Sequence, residues 1–261
     1  MLFNSLKFLA FFPSVLIIYF SLKPRYRNIF LLLASYYFYL NWQPIYVVLI
    51  LVSTLVTWLC SLFIENSVNA NRKKIYLALS LIINFSILFF YKYFNFINQI
   101  AFDFLDSVGI RYQMVNLDIL LPVGISFYTF QAVGYTIDVY RENLKHEKNI
   151  INYALFVSFF PQLVAGPIER AKNLLPQFRE INFFSWTNFY EGVKLMLWGY
   201  FLKLVLADRL GIYVDAIYNN IENHNGSSII LASILFAFQI YGDFAGYSLI
   251  AIGTAKLWAL I

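Results

Sequence analysis

Long apolar runs recur along the whole of this 261-residue chain, each cut off by a short basic or polar loop. In hydrocarbon every backbone N–H and C=O must find its partner within the protein, so runs of this kind resolve into membrane-spanning helices. Only 13% of the residues are charged and 61% are hydrophobic, against about 25% charged in soluble domains. The pattern predicts an all-α, polytopic membrane helix bundle, with residues 1–261 forming a single integral membrane domain. The 28 Phe, 20 Tyr and 5 Trp suit such a bundle, Phe in its core and Tyr and Trp at its interfaces. The net charge of +5 comes from loops and forms no stripe that would track phosphates, so nucleic acid is not an expected partner; the lipid bilayer is.

About eight spans can be drawn: Leu6 to Leu22, Ile29 to Leu40, Ile45 to Ile64, Ile75 to Tyr91, Leu120 to Tyr140, Ile150 to Val164, Tyr190 to Ala207 and Ile229 to Ile261. The first run lacks a small-residue cleavage site and is followed by Lys23 to Arg27, so it reads as a retained helix. Asn41 to Pro44 reads as a tight turn carrying an interfacial Trp42. Lys92 to Asp118 mixes amides and acids with Phe94, Ile97, Ala101, Phe104, Leu105 and Val108 at helical spacing. Two readings stand for it, a helix lying in the interface and a helix packed on the bundle. Ala165 to Phe184 fits a re-entrant or interfacial segment, Asp208 to Ser228 an aqueous one, and the last span is expected to tilt or to break near Gly242 to Gly246. Cys60 reads as a small buried residue. The loops at 23–27, 71–74 and 141–148 each carry three Lys or Arg, which places them in the cytoplasm and the N-terminus outside.

Three spans hold polar groups where lipid makes them costly. Leu121 to Arg141, LPVGISFYTFQAVGYTIDVYR, carries Gln131, Thr136 and Asp138; Gln131 and Asp138 are two helical turns apart and share a face. Phe159 to Arg170, FFPQLVAGPIER, carries Gln162 and Arg170. Phe238 to Gly253, FQIYGDFAGYSLIAIG, carries Gln239 and Asp243, four apart, and Arg170 is a candidate partner for Asp243. One reading is a polar tunnel lined by Gln131, Asp138, Gln162, Arg170, Gln239 and Asp243. The other is interhelical hydrogen bonding without a substrate. His146 and His224 lie in charged or polar loops and are expected to be solvated, Lys194 and Lys203 to snorkel. No metal motif, phosphate-binding loop or Gly-x-Ser-x-Gly sequence is present.

LPVGISFYTFQAVGYTIDVYR, FFPQLVAGPIERAKNLLPQF and FQIYGDFAGYSLIAIGTAK resemble the membrane-bound O-acyltransferases, in the branch of bacterial alginate O-acetyltransferases. That branch also holds peptidoglycan O-acetyltransferases and is related to the D-alanyl transfer protein of teichoic acids. The resemblance runs from about Tyr36 to Lys256. It implies a helix bundle of the bacterial inner membrane pierced by a tunnel, with no bound cofactor. An acyl donor such as acetyl-CoA is expected on the cytoplasmic side. The expected acceptor is a cell-envelope or exported polysaccharide, reached through a secreted esterase-like partner.

The family's catalytic histidine lies in an Arg-Trp-His stretch beyond the motif that ends here at Lys256, and neither His146 nor His224 matches it. The expectation is a C-terminally truncated, MBOAT-like bundle in which the catalytic His lies beyond Ile261, inactive alone. Competing readings are a non-catalytic remnant or scaffold and a transport component.

Overall fold

The computed structural model describes residues 3, 5–41, 44–110, 117, 121–163, 166 and 169–259. Trp42 and Gln43 of the expected turn, Arg111 and Asp118 of the amphipathic stretch, and Ala165 and Pro167 of the expected helix break lie outside the described residues. Every regular element among those described is helical. Three of the helices, spanning Pro44–Asn66, Ala70–Ser107 and Gly226–Leu257, are long and apolar enough to cross a membrane, and the chain is a membrane protein.

The chain divides into two compact units. One, residues 39–158 with 170–172, is built from α3 (Val47–Asn66), α4 (Ala70–Ser107), α5 (Ile125–Tyr140) and α6 (Ile150–Ser158). Within it α3 packs on α4, α5 and α6. The packing is inverted relative to a soluble bundle. Leu51, Leu55, Leu59 and Phe63 of α3 point outward, while Ser53, Thr54, Thr57 and Ser61 are buried. Apolar side chains gain nothing by leaving lipid, whereas small hydroxyls allow close approach and bond across helices. Thr54 and Thr57 donate to carbonyls one turn back, Ile50 O at 2.7 Å and Ser53 O at 2.6 Å. Ser53 Oγ donates to Asn84 Oδ1 of α4 at 2.5 Å, and Tyr153 of α6 donates to Thr57 Oγ1 at 2.6 Å.

α4 corrects the sequence reading. The span and the amphipathic stretch are one helix of 38 residues, without a break at Lys92. No Gly or Pro lies between Ala70 and Ser107, so nothing interrupts the hydrogen-bond ladder, which runs about 57 Å at 1.5 Å per residue. The apolar positions of its second half are not packed away: Phe96, Ile97, Ile100 and Phe104 are exposed. α5 starts at Gly124, whose φ of 74° is a left-handed conformation open to glycine.

The other unit comprises residues 1–38, 159–169 and 173–261. It contains α1 (Leu6–Ser21), α2 (Pro24–Leu40) up to Phe38, α7 (Phe160–Leu163), most of α8 (Ala171–Arg179), α9 (Trp186–Tyr200), α10 (Asp208–Tyr218) and α11 (Gly226–Leu257). α6 stops before Phe159 because Pro161 has no N–H for the next ladder bond and its ring clashes with the carbonyl four residues back; the chain restarts as α7, with the Phe160 N–H donated to Ser35 Oγ at 3.3 Å. An aromatic core of Phe8, Phe12, Phe38, Phe159, Phe160 and Trp258 fills this unit.

α9 does not end where the seventh span was drawn. It passes through a π-helical stretch, Phe201–Ala207, into α10, so part of the expected aqueous segment is helix. α11 also runs unbroken through Gly242 and Gly246. Its glycines serve contact. Gly192 and Gly199 of α9 lie against Gly253 and Gly246 of α11, and a Cβ on Gly199 would sit 2.7 Å from the Gly246 carbonyl oxygen. Both glycine pairs are seven residues apart, two turns of helix, and run in opposite order, so the two backbones touch twice along one antiparallel seam.

Candidate functional site

Two of the three polar stretches converge on one cavity. Phe159, Pro161 and Gln162 at the α6–α7 break, with Glu169, supply one wall; Ala251, Ile252, Ala255 and Lys256 of α11 supply another; Leu174 of α8 and Leu195 of α9 complete it. Its volume is about 250 Å³, just below the range of about 300 Å³ upward typical of small-ligand pockets. The walls are apolar, and the polar groups are the Gln162 amide, the Glu169 carboxylate and the Lys256 ammonium. Lys256 is held by an ion pair with Glu191 of α9. Such a site suits a small, largely apolar group.

A second polar centre in the same unit surrounds Lys203. Its ammonium donates to Asp208 Oδ1 at 2.6 Å and to Asp243 Oδ1 at 2.5 Å, and it lies 5.3 Å from the centre of the Tyr247 ring. The π-helical stretch makes this geometry. The Asp208 N–H bonds the carbonyl of Lys203, five residues back, so residues 203 and 208 are stacked where an ordinary α-helix would turn them apart. One expectation is corrected here: Lys203 does not snorkel; its side chain is 13% exposed and bridges two carboxylates. Asp243 has Lys203 as its ionic partner within this unit, and Arg170, an exposed residue, belongs to the other unit.

The first stretch, on α5, belongs to the other unit. Gln131 is buried and its amide donates to Phe156 O of α6 at 2.8 Å, the interhelical bond of the alternative reading. Thr136 joins Ala132 O and Ser80 Oγ of α4. Asp138 is half-buried, and its carboxylate has no hydrogen bond or ion pair among the described residues. Gln239 of α11 is half-buried, with its Nε2 against Gly211 of α10 and its Oε1 buried without a partner among the described residues.

No family model matches the chain. Individual relatives do. It is 35% identical over 255 residues to the probable alginate O-acetylase AlgI of Pseudomonas aeruginosa, covering 97% of this chain and 48% of that protein. It is 31% identical to the peptidoglycan O-acetyltransferase of Helicobacter pylori, over 97% of this chain and 53% of that one. The teichoic acid D-alanyltransferase of Streptococcus thermophilus shares 29% identity over 53% of this chain. Over nearly its whole length the chain is thus a homologue of alginate O-acetylases and of a peptidoglycan O-acetyltransferase. It spans about half the length of the alginate and peptidoglycan relatives it matches.

Sequence reasoning missed three charged groups of the two centres, Lys203, Asp208 and Lys256, and the burial of His146. Lys256 was visible in the quoted stretch ending GTAK. Asp208 was concealed because its five-residue offset from Lys203 pairs nothing in an α-helix. The expectation that both histidines are solvated holds for His224, which is exposed, and fails for His146, which is 6% exposed. Cys60 is buried as expected.

Proposed function

We propose that this chain contributes the acyl-binding part of a membrane-bound O-acyltransferase that modifies a cell-envelope or exported polysaccharide. The observation that carries the proposal is the convergence of FFPQLVAGPIER and the C-terminal part of α11 on one apolar cavity with an amide on its wall. The cavity receives the acyl group of a thioester donor such as acetyl-CoA. Gln162 and Lys256 orient its polar end, and the acceptor hydroxyl oxygen attacks the acyl carbon as the C–S bond breaks. The hydroxyl proton passes to a general base. Neither histidine takes that role. His146 has both ring nitrogens closed off from solvent-borne reactants, and His224 sits exposed on a loop and does not line the cavity.

The proposed setting is one integral domain of about eight spans in a bacterial inner membrane, with the N-terminus outside, the donor in the cytoplasm and an esterase-like protein carrying the acyl group to the polymer. Names of the relatives support acyl transfer to alginate, peptidoglycan or teichoic acid as the reaction class. Asp138, Gln239, Asp243 and Arg170 are proposed to shape the path between donor and acceptor.

The test is photolabelling of the chain in nanodiscs with a short diazirine-bearing acyl thioester. Label is expected on residues 159–162 and 251–256. Ala255→Phe, which fills the cavity, is expected to remove most of it while leaving thermal stability near wild type. Labelling that is spread along the chain, or that survives Ala255→Phe, rejects this cavity as the acyl site.

A further inference from the structure

The loop that joins α5 to α6 looks in sequence like a solvated strand of charges, RENLKHEK, yet His146 and Glu147 at its centre are 6% and 4% exposed. Four hydrogen bonds and a ring contact hold them. The His146 N–H donates to the Glu65 carboxylate at the end of α3. The Glu147 N–H donates to Tyr135 Oη of α5 at 2.8 Å, and Trp58 Nε1 of α3 donates to Glu147 O at 2.8 Å. His146 Nδ1 lies 2.9 Å from Ser61 Oγ, and its ring packs on Trp58 with centroids 5.1 Å apart.

Ser61 Oγ lies 2.7 Å from Trp58 O and donates there; Tyr135 Oη stands 3.4 Å from both Ser61 Oγ and His146 Nδ1. On the shortest contacts we assign the neutral ring its proton at Nδ1, bonded to Ser61 Oγ, which leaves Nε2 buried with no partner among the described residues. Protonating Nε2 would create a buried N–H on a cation with nothing to accept it.

We propose that His146 is a pH-sensitive pin: neutral, it holds the 141–149 connection against α3 and α5, and protonated, it releases it. The pin operates whatever the cavity binds. The charged and titratable groups around it are Glu65 of α3, Tyr135 of α5, and Glu147 and Lys148 of the loop, while Lys73 of α4 engages Glu142 at 2.7 Å. Burial lowers the His146 pKa below its ordinary value; Glu65 and Glu147 oppose that, and Lys148 adds to it. A lowered value means that the unfolded or undocked state binds more protons. The contribution of the pin is thus complete above the ordinary histidine pKa of about 6.5 and is lost as pH falls through that value toward the native one.

Hydrogen exchange read by mass spectrometry on the chain in nanodiscs tests this. After correction for intrinsic rates, protection of the 146 and 147 amides is expected to fall about tenfold per pH unit as pH drops below the ordinary histidine value of about 6.5. His146→Gln keeps an N–H for Ser61 and cannot ionise, so its protection is expected to stay level across the range. A level wild-type profile from about pH 5 to 7.5 overturns the proposal on its own, even where the Gln variant folds poorly. An equal acid loss in wild type and His146→Gln also overturns it.

Discussion

Two buried polar centres in this chain solve the same problem by opposite means. Around Ser61, in the unit built on α3, the contacts run through a neutral imidazole, hydroxyls and backbone groups, with the Glu65 carboxylate accepting the His146 N–H. Around Lys203, in the unit built on α11, one ammonium sits between two carboxylates and the centre is anionic by one unit. The first arrangement is tolerant of single deletions because each hydrogen bond is worth only about 1 kcal/mol net. The second is not, because each charge is stable only while the others are there.

That contrast sets an order of expected effects. Lys203→Met leaves two carboxylates facing each other; breaking a fully buried pair costs about 3–5 kcal/mol, and the partial exposure of Asp208 and Asp243 lowers the expectation to about 2–3 kcal/mol. Thermal unfolding in detergent measures it, and Lys203→Arg should restore most of the loss. A Lys203→Met protein that melts like wild type would remove the ionic half of the comparison. Ser61→Ala comes next, at about 1–2 kcal/mol, since it strands the His146 Nδ1–H without its acceptor; the same melting experiment reads it. Smallest is Lys73→Met. Its partner Glu142 is fully exposed and is held below the usual carboxylate range by that lysine alone. Surface pairs of this kind contribute little, so no change in melting is expected, and a clear drop would mean that the loop depends on charge as well as on its pin.

How much of this was readable beforehand differs between the two centres in the same way. Apolar runs located most helices, because a membrane helix is a local property of about 20 residues. Of the six tunnel candidates Gln162 alone lines the cavity, and the signals around it, the helix-breaking Pro161 and an amide at membrane depth, are also local. The Lys203 centre was hidden by a change of helix type, which no residue between Phe201 and Ala207 announces. His146 was hidden because burial of a charged loop depends on Trp58, Ser61 and Glu65, about eighty residues earlier. The buried hydroxyls of α3 were legible at positions 53, 54, 57 and 61, spaced as one helical face, but were passed over as part of an ordinary span.

The glycine seam between α9 and α11 behaves as a ruler. With main chain lying on main chain at Gly192–Gly253 and Gly199–Gly246, there are no side-chain atoms at the contact to absorb error. A slip of a single residue displaces one helix by about 1.5 Å and rotates it by about 100°, which drives a side chain into space that only hydrogen can occupy. Glu191 precedes the outer glycine on α9, and Lys256 follows its counterpart on α11 by one turn, so their ion pair closes only at this setting. The width of the cavity between these helices is therefore dimensioned by the backbone, and a cross-link between positions 191 and 256 would read it as a gauge.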